Sequence, residues 1–185
     1  MYAALLDACG RVPNALRDTL LRLAERDFYR PLWSQQVLDE TAYAVEGIHP
    51  EIDPARIRRR IAAMADAFED ATVSGWEPLS AGLDLPDPDD RHVLAAAIAG
   101  GAQCIVTFNL KDFPAPIVAT TGVAVNHPDE FLLDQLDLHP GRALQVLTRQ
   151  SNDMKQPPTD LDGLLNRFQQ CGVPRFADAV RLLTP

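Results

Sequence analysis

The chain opens on a short, unbroken apolar run, Ala3–Leu6, that stops at Asp7. Continuous apolar runs of this length between turn signals read as buried strands, so Asp7 is predicted at a strand's carboxyl end. Pro13 and Asn14 then open a helix carrying Leu16, Leu20, Leu21, Leu23 and Ala24 at helical spacing. YRPLW (29–33) reads as a linker or a brief extended piece. Ser34 is a good N-cap for a helix bearing Val37, Leu38, Thr41, Ala42 and Val45, with Asp39 and Glu40 between them. Asp53 and Pro54 signal a third helix whose stripe is Ile57, Ile61, Met64, Ala65 and Phe68. TVSGWEPL holds a short strand and a loop. Asp87 or Asp89 caps the next helix, near 89–99, with Pro88 as its start signal. QCIVTF is a strand ended by the Asn109–Asp112 segment, GVAV (122–125) is another, and Pro128 starts a further helix.

Apolar strands alternating with helices predict an α/β, three-layer α/β/α sandwich around a central parallel sheet. That domain is expected over 1–139. The rest, 140–185, reads as a C-terminal helical appendage broken at KQPPTD, with Thr159 capping a helix that contains Leu161, Leu164, Leu165 and Phe168.

Composition narrows the function. The 185 residues suffice for one domain with a core, and 46% hydrophobic with 23% charged residues is ordinary for a soluble protein. Stretches of about 18 apolar residues are absent, so no membrane span is expected. The first residues, MYAALLDACG, lack the pattern of a signal peptide. Cys9, Cys104 and Cys171 are odd in number and far apart, which predicts neither a disulfide framework nor a zinc site. A cytoplasmic location is the expectation. A net charge of −9 argues against general coating of nucleic acid. It leaves room for an enzyme that grips phosphates through metal ions or a local basic patch. The run Arg56–Arg60 (RIRRR) is such a patch or a solvated helix face, and both readings stay open.

The acids carry the chemistry. In open parallel sheets, sites gather at the carboxyl ends of the strands. Asp7 ends the first strand, Asn109 and Asp112 follow the QCIVTF strand, and Asp90 sits in the first turn of the helix feeding it. Glu40, on the helix after Ser34, is a further candidate. Like charges 4 Å apart repel by about 4 kcal/mol at an effective dielectric near 20. Such a group therefore calls for protonation or a divalent cation, and oxygen-only ligands favour Mg²⁺ or Mn²⁺. Taken singly, Asp87 and Asp89 are simply caps and turn residues, and Glu40 a surface acid.

LLDAC, WSQQVLDE, LPDPDDRHVLAAAIAGGA and IVTFNLKDFP, in this order, resemble the four acidic motifs of PIN domains, most of all VapC-like toxin ribonucleases of type II toxin–antitoxin pairs. The resemblance covers about 3–137. It implies a helix-sandwiched parallel sheet and Mg²⁺- or Mn²⁺-dependent RNA cleavage. By motif, Asp7, Glu40, Asp90 and Asp112 would be catalytic metal ligands and Asn109 a further ligand. Asp87 would be an outer residue, and the Thr107 hydroxyl would orient the cluster. A cognate antitoxin and a homodimer are implied as partners. The chain departs from the family at Cys9, at GRVP after the first acid and at AYAVEGIHPEI after the second.

The reading is a metal-dependent endoribonuclease with RNA as substrate. Its alternative is a catalytically weak module acting as an interaction or scaffold component. An aspartyl phosphatase would want an acid two residues after Asp7, where Cys9 stands. Arg11 and Lys111, beside the ligands in sequence, are candidate contacts to the RNA backbone. His92 is the histidine nearest the acids, able to face substrate but better placed on the helix surface.

Overall fold

The computed structural model describes residues 1–7, 13–155 and 157–184. Its first strand, β1 (Ala3–Leu6), has all four residues at 1% exposure or less. Successive side chains of a strand point to opposite faces, so both faces of the sheet are covered at this strand. β1 pairs with β2 (Arg30–Ser34) on one side and β4 (Cys104–Val106) on the other. β3 (Thr72–Val73) lies beyond β2, and β5 (Ala124–Asn126) lies beyond β4. Every pair is parallel, in the order β3-β2-β1-β4-β5. The chain builds outward from β1 in one direction, then returns to its other side. The boundary between β1 and β4 is therefore the switch point where α/β sheets place their sites. This is the expected α/β sandwich.

The segment 29–33, expected as a linker or a brief extended piece, is largely β2, beside the central strand. Tyr29, Leu32 and Trp33 are at most 1% exposed. Pro31 disguises it, because proline lacks the N–H that an interior strand uses. The sheet tolerates it here because, among the described residues, no strand pairs with that side at its level. Trp33, two residues on and facing the same side, donates its N–H to Ala71 (3.0 Å), and β3 pairs only from Trp33 onward.

The chain packs as two compact units. The first, Met1–Arg11 with Tyr29–Asn126, holds the sheet. Helix α1 (Asn14–Ala24) falls in the second. Two of the first unit's helices start where the caps predict. The Ser34 hydroxyl accepts the Val37 N–H (3.2 Å) to start α2 (Gln35–Ile48). Asp53 accepts the Ala55 N–H (3.0 Å) to start α3 (Pro54–Ala67). After α4 (Glu77–Ser80), a single 3-10 turn over Pro88–Asp90 leads into α5 (Arg91–Ala99), which begins with no side-chain cap and packs on β1, β2 and β4. Gly100 ends α5 where a Cβ would lie 2.7 Å from Val73 Cγ2 and 3.0 Å from Leu32 Cδ1, so only glycine permits that approach. α6 (Ala115–Val118) precedes β5. That strand begins two residues later than expected because Gly122 turns the chain at φ +74°.

The second unit, Val12–Phe28 with His127–Pro185, joins α1 to α7 (Pro128–Leu138), α8 (Pro140–Asp153), α9 (Leu161–Gln170) and α10 (Pro174–Leu183). Packing thus groups α1 and α7 with the C-terminal helices, whereas the sequence reading set both before a break at 139/140. The Thr19 hydroxyl donates to Gln150 Oε1 (2.7 Å), and Gln150 Nε2 donates to the Ala15 carbonyl (2.7 Å), tying α1 to α8 inside the core. Leu164, Leu165, Phe168, Phe176, Ala177 and Val180 are at most 2% exposed. Asp160, not Thr159, caps α9, accepting the Gly163 N–H at 2.8 Å, while the Thr159 hydroxyl accepts from Arg167. Among the described residues, no helix is long and apolar enough to cross a membrane.

Candidate metal centre

β1 and β4 deliver their carboxyl ends side by side, with the Asp7 N–H donating to the Val106 carbonyl at 3.1 Å. Thr107, directly after β4, is buried and links the two strand ends. Its hydroxyl donates to Asp7 Oδ2 (2.7 Å) and accepts the Asn109 N–H (2.9 Å). Asn109 in turn offers its side-chain amide to Asp90 Oδ2 at 3.4 Å. A 3-10 turn over Leu110–Asp112 then brings the Asp112 carboxylate inward.

Asp87, Asp90 and Asp112 each present a carboxylate oxygen within 4.8 Å of the other two. Asp90 is pushed up to about 6, first by burial and then by the charges of Asp7, Asp112 and Asp87, with His92 pulling the other way. Asp7, Asp90 and Asp112 thus share one electrostatic site, as their places relative to the strands predict.

Asp87 joins this group more closely than an outer role implies. It caps the turn, accepting the Asp89 N–H at 2.9 Å, and still lies among the acids. Pro88 and Asp89 separate it from Asp90, and the tight turn brings the two carboxylates together. The crowding of acids in PDPDD was the available signal.

Glu40 is tied up differently. His92 Nε2 lies 3.0 Å from Glu40 Oε1, and Gln36 Nε2 donates to the same oxygen at 3.1 Å. Burial works to raise the Glu40 carboxyl, but the bond and charge of His92, helped by Gln36, take it below its ordinary value. His92 acts on both Glu40 and Asp90 and so links the two. The expected helix-surface place for His92 is corrected: it is 6% exposed, with its ring 5.8 Å from that of Trp76. Its Nδ1 is buried without a hydrogen-bond partner. The cause is α5 itself, whose first six residues apart from Arg91 are all buried.

Lys111 is 84% exposed, its Nζ 3.8 Å from Asp112 Oδ2, leaving an exposed cation at the rim. Arg11, with Cys9 and Gly10, lies outside the described residues.

Among the described residues, the donors gathered here are oxygens, apart from the histidine behind Glu40. Carboxylates this close, one of them driven to about 6, are the chemistry that a hard divalent cation relieves.

Comparison with known proteins points the same way. The family model described as PIN domain matches residues 3–111, and that described as VapC50 C-terminal domain matches 128–182. "Putative ribonuclease VapC50" of Mycobacterium tuberculosis is 42% identical over 96 residues, covering 52% of this chain and 56% of that protein. The chain thus spans about half the length of the curated relative it matches. No solved structure matches it.

Proposed function

The chain belongs to the PIN domain family, and from that premise we propose that it is a divalent-metal-dependent endoribonuclease, the toxin of a toxin–antitoxin pair. The single observation that carries this reading is the group of acids at the carboxyl ends of β1 and β4, with Asp90 pushed to about 6 by burial and by its like-charged neighbours. The similarity to a mycobacterial protein described as a ribonuclease supports that part of the reading.

The donor set fits Mg²⁺ or Mn²⁺. Asp7, Asp90, Asp112 and the Asn109 amide oxygen would hold the ion, with Glu40 a further ligand and Asp87 beside them. Once bound, the ion supplies Lewis-acid stabilisation to the reacting phosphate and lowers the pKa of water near it. The chain's own residues set the frame. Thr107 fixes the Asp7 carboxylate, while His92 and Gln36 hold Glu40 in one orientation. Asn109 aims its amide at Asp90. Lys111 offers a cation to the RNA backbone at the rim, and Arg11 is proposed for the same task. RNA is the substrate, an antitoxin the inhibitor, a second copy the dimer partner and the cytoplasm the setting.

The test is cleavage of a labelled RNA panel while Mn²⁺ or Mg²⁺ is titrated. Cuts that need the metal and vanish in Asp90→Asn are expected. Binding to a protein partner with no metal-dependent cut of any RNA would instead establish the scaffold role.

A further inference from the structure

The basic run on α3 is not used by the acid site, and one of its members, Arg58, meets α2, the helix that carries Glu40. Ile57 and Ile61 turn inward, while Arg56, Arg58, Arg59 and Arg60 are all exposed. Helical spacing puts Arg58 on one flank of α3, Arg59 on the outward face, and Arg56 and Arg60 on the other flank. On the Arg58 flank stands Tyr43 of α2, 64% exposed, with the Arg58 guanidinium 5.6 Å above its ring centroid. Glu46 pairs with Arg58 at 3.0 Å and holds it over the ring. Arg56, Arg59 and Arg60 make no ion pair among the described residues. Tyr43 lies three residues after Glu40, so the two side chains are neighbours on one helix face.

An aromatic ring, a guanidinium plane and an adjacent unpaired arginine, Arg59, are what a single-stranded nucleic acid uses. Bases stack on the ring or the guanidinium, and phosphates follow the cations. A duplex keeps its bases stacked inside and offers no free face. We propose that Tyr43 and Arg58, flanked by Arg59, form a stacking subsite for a base of single-stranded RNA adjoining the cleavage site. The inference rests on the ribonuclease reading for its substrate class, but the surface itself is independent of the acids.

The test is fluorescence anisotropy with the full chain in EDTA, where metal-dependent cleavage cannot proceed. The probes are a fluorescein-labelled single-stranded RNA 12-mer and a blunt RNA duplex of the same length. Tyr43→Ala is expected to weaken single-strand binding about 10-fold, the size of one lost stacked base. Tyr43→Phe should stay within about 2-fold, and Arg58→Ala should lose about 5-fold, a partial share of the same stack. Duplex binding should not respond to Tyr43→Ala, and neither should the rise in Tm that Mn²⁺ produces. The proposal is overturned if the wild type does not bind the single strand, or if Tyr43→Ala binds it normally. Equal losses on the duplex, or equal losses in Tyr43→Phe, overturn it as well. The nuclease reading is judged separately, by cleavage in Mn²⁺. Cleavage with normal binding by Tyr43→Ala sinks the subsite alone. Weakened binding by Tyr43→Ala in a chain that never cleaves sinks the nuclease reading alone.

Discussion

Asp90, at the carboxyl end of the sheet, and Asp129, at the start of α7, are both acids withdrawn from water, and the molecule treats them in opposite ways. Asp129 is 6% exposed, and its two oxygens accept the backbone N–H groups of Phe176 (2.8 Å) and Arg175 (3.2 Å). It is the missing cap of α10, whose own N-cap position, Val173, has no side chain able to accept a hydrogen bond. Asp90 is only half-buried, yet its neighbours are three more carboxylates, and among the described residues the donor to its side chain is the Asn109 amide at 3.4 Å. A buried acid whose donors come from a helix start stabilises the fold. An acid whose neighbours are other acids costs stability, and such strain marks a place kept for a ligand.

The sharpest way to break this contrast is to remove each charge and measure both activity and stability. Asp90→Asn keeps the shape and removes the charge. RNA cleavage is expected to fall more than about 100-fold, since even residues that only support metal ligands are worth 10- to 100-fold. Stability without metal should not fall. A variant that keeps wild-type kcat/KM on the same RNA would end the comparison, because Asp90 would then be no more than a turn residue.

Asp129→Ala is the mirror experiment. It leaves two first-turn amides of α10 unpaired in a buried place, so unfolding in urea should lose about 2–3 kcal/mol, typical for hydrogen bonds to a charged group. The increase in Tm produced by Mn²⁺ should be the same as in the wild type. If that increase disappears in a variant that remains folded, Asp129 is also coupled to the metal site.

The half of this contrast at the sheet was legible in the sequence, because apolar strand runs fix which residues stand at strand ends. Asp7, Asp90 and Asp112 follow from that logic. The other half was not. Asp129 looks like any acid in the first turn of a helix, and nothing local says that its partners lie at Arg175 and Phe176. The same holds for α1, whose tie to α8 depends on Thr19 meeting Gln150 across 131 positions. His92 was misplaced on the helix surface because a helix buried on nearly all sides has no polar face to read. β2 was legible only as a linker or a brief extended piece, because Pro31 is permitted by the shortness of β3, a property of the assembled sheet. The caps Ser34 and Asp53 were plain, since they act within three residues. Thr159 and Asp160 both have cap chemistry, and only the backbone path chose between them.

The smallest effect, and the most specific to Asp90, is a dependence on pH. Its carboxyl lies near 6 in the fold against an ordinary 3.8, so the native state holds this proton more tightly than the unfolded chain. Below pH 3.8 both states are protonated and the site costs nothing. As pH rises from about 4 to 6 the unfolded chain ionises first, so stability falls, and above about 6 the full cost is present. Asp90 is open to solvent on one side, so screening reduces that cost to about 1 kcal/mol. Urea midpoints in EDTA at pH 4, 5, 6 and 7 should therefore converge for wild type and Asp90→Asn at the acid end. They should separate toward neutral pH, with the variant the more stable. Mn²⁺ competes with the same proton, so the increase in Tm it gives the wild type should grow between pH 5 and 7. Parallel urea curves for the two proteins would remove Asp90 from the cluster, and a metal effect unchanged across that range would separate the ion from the proton.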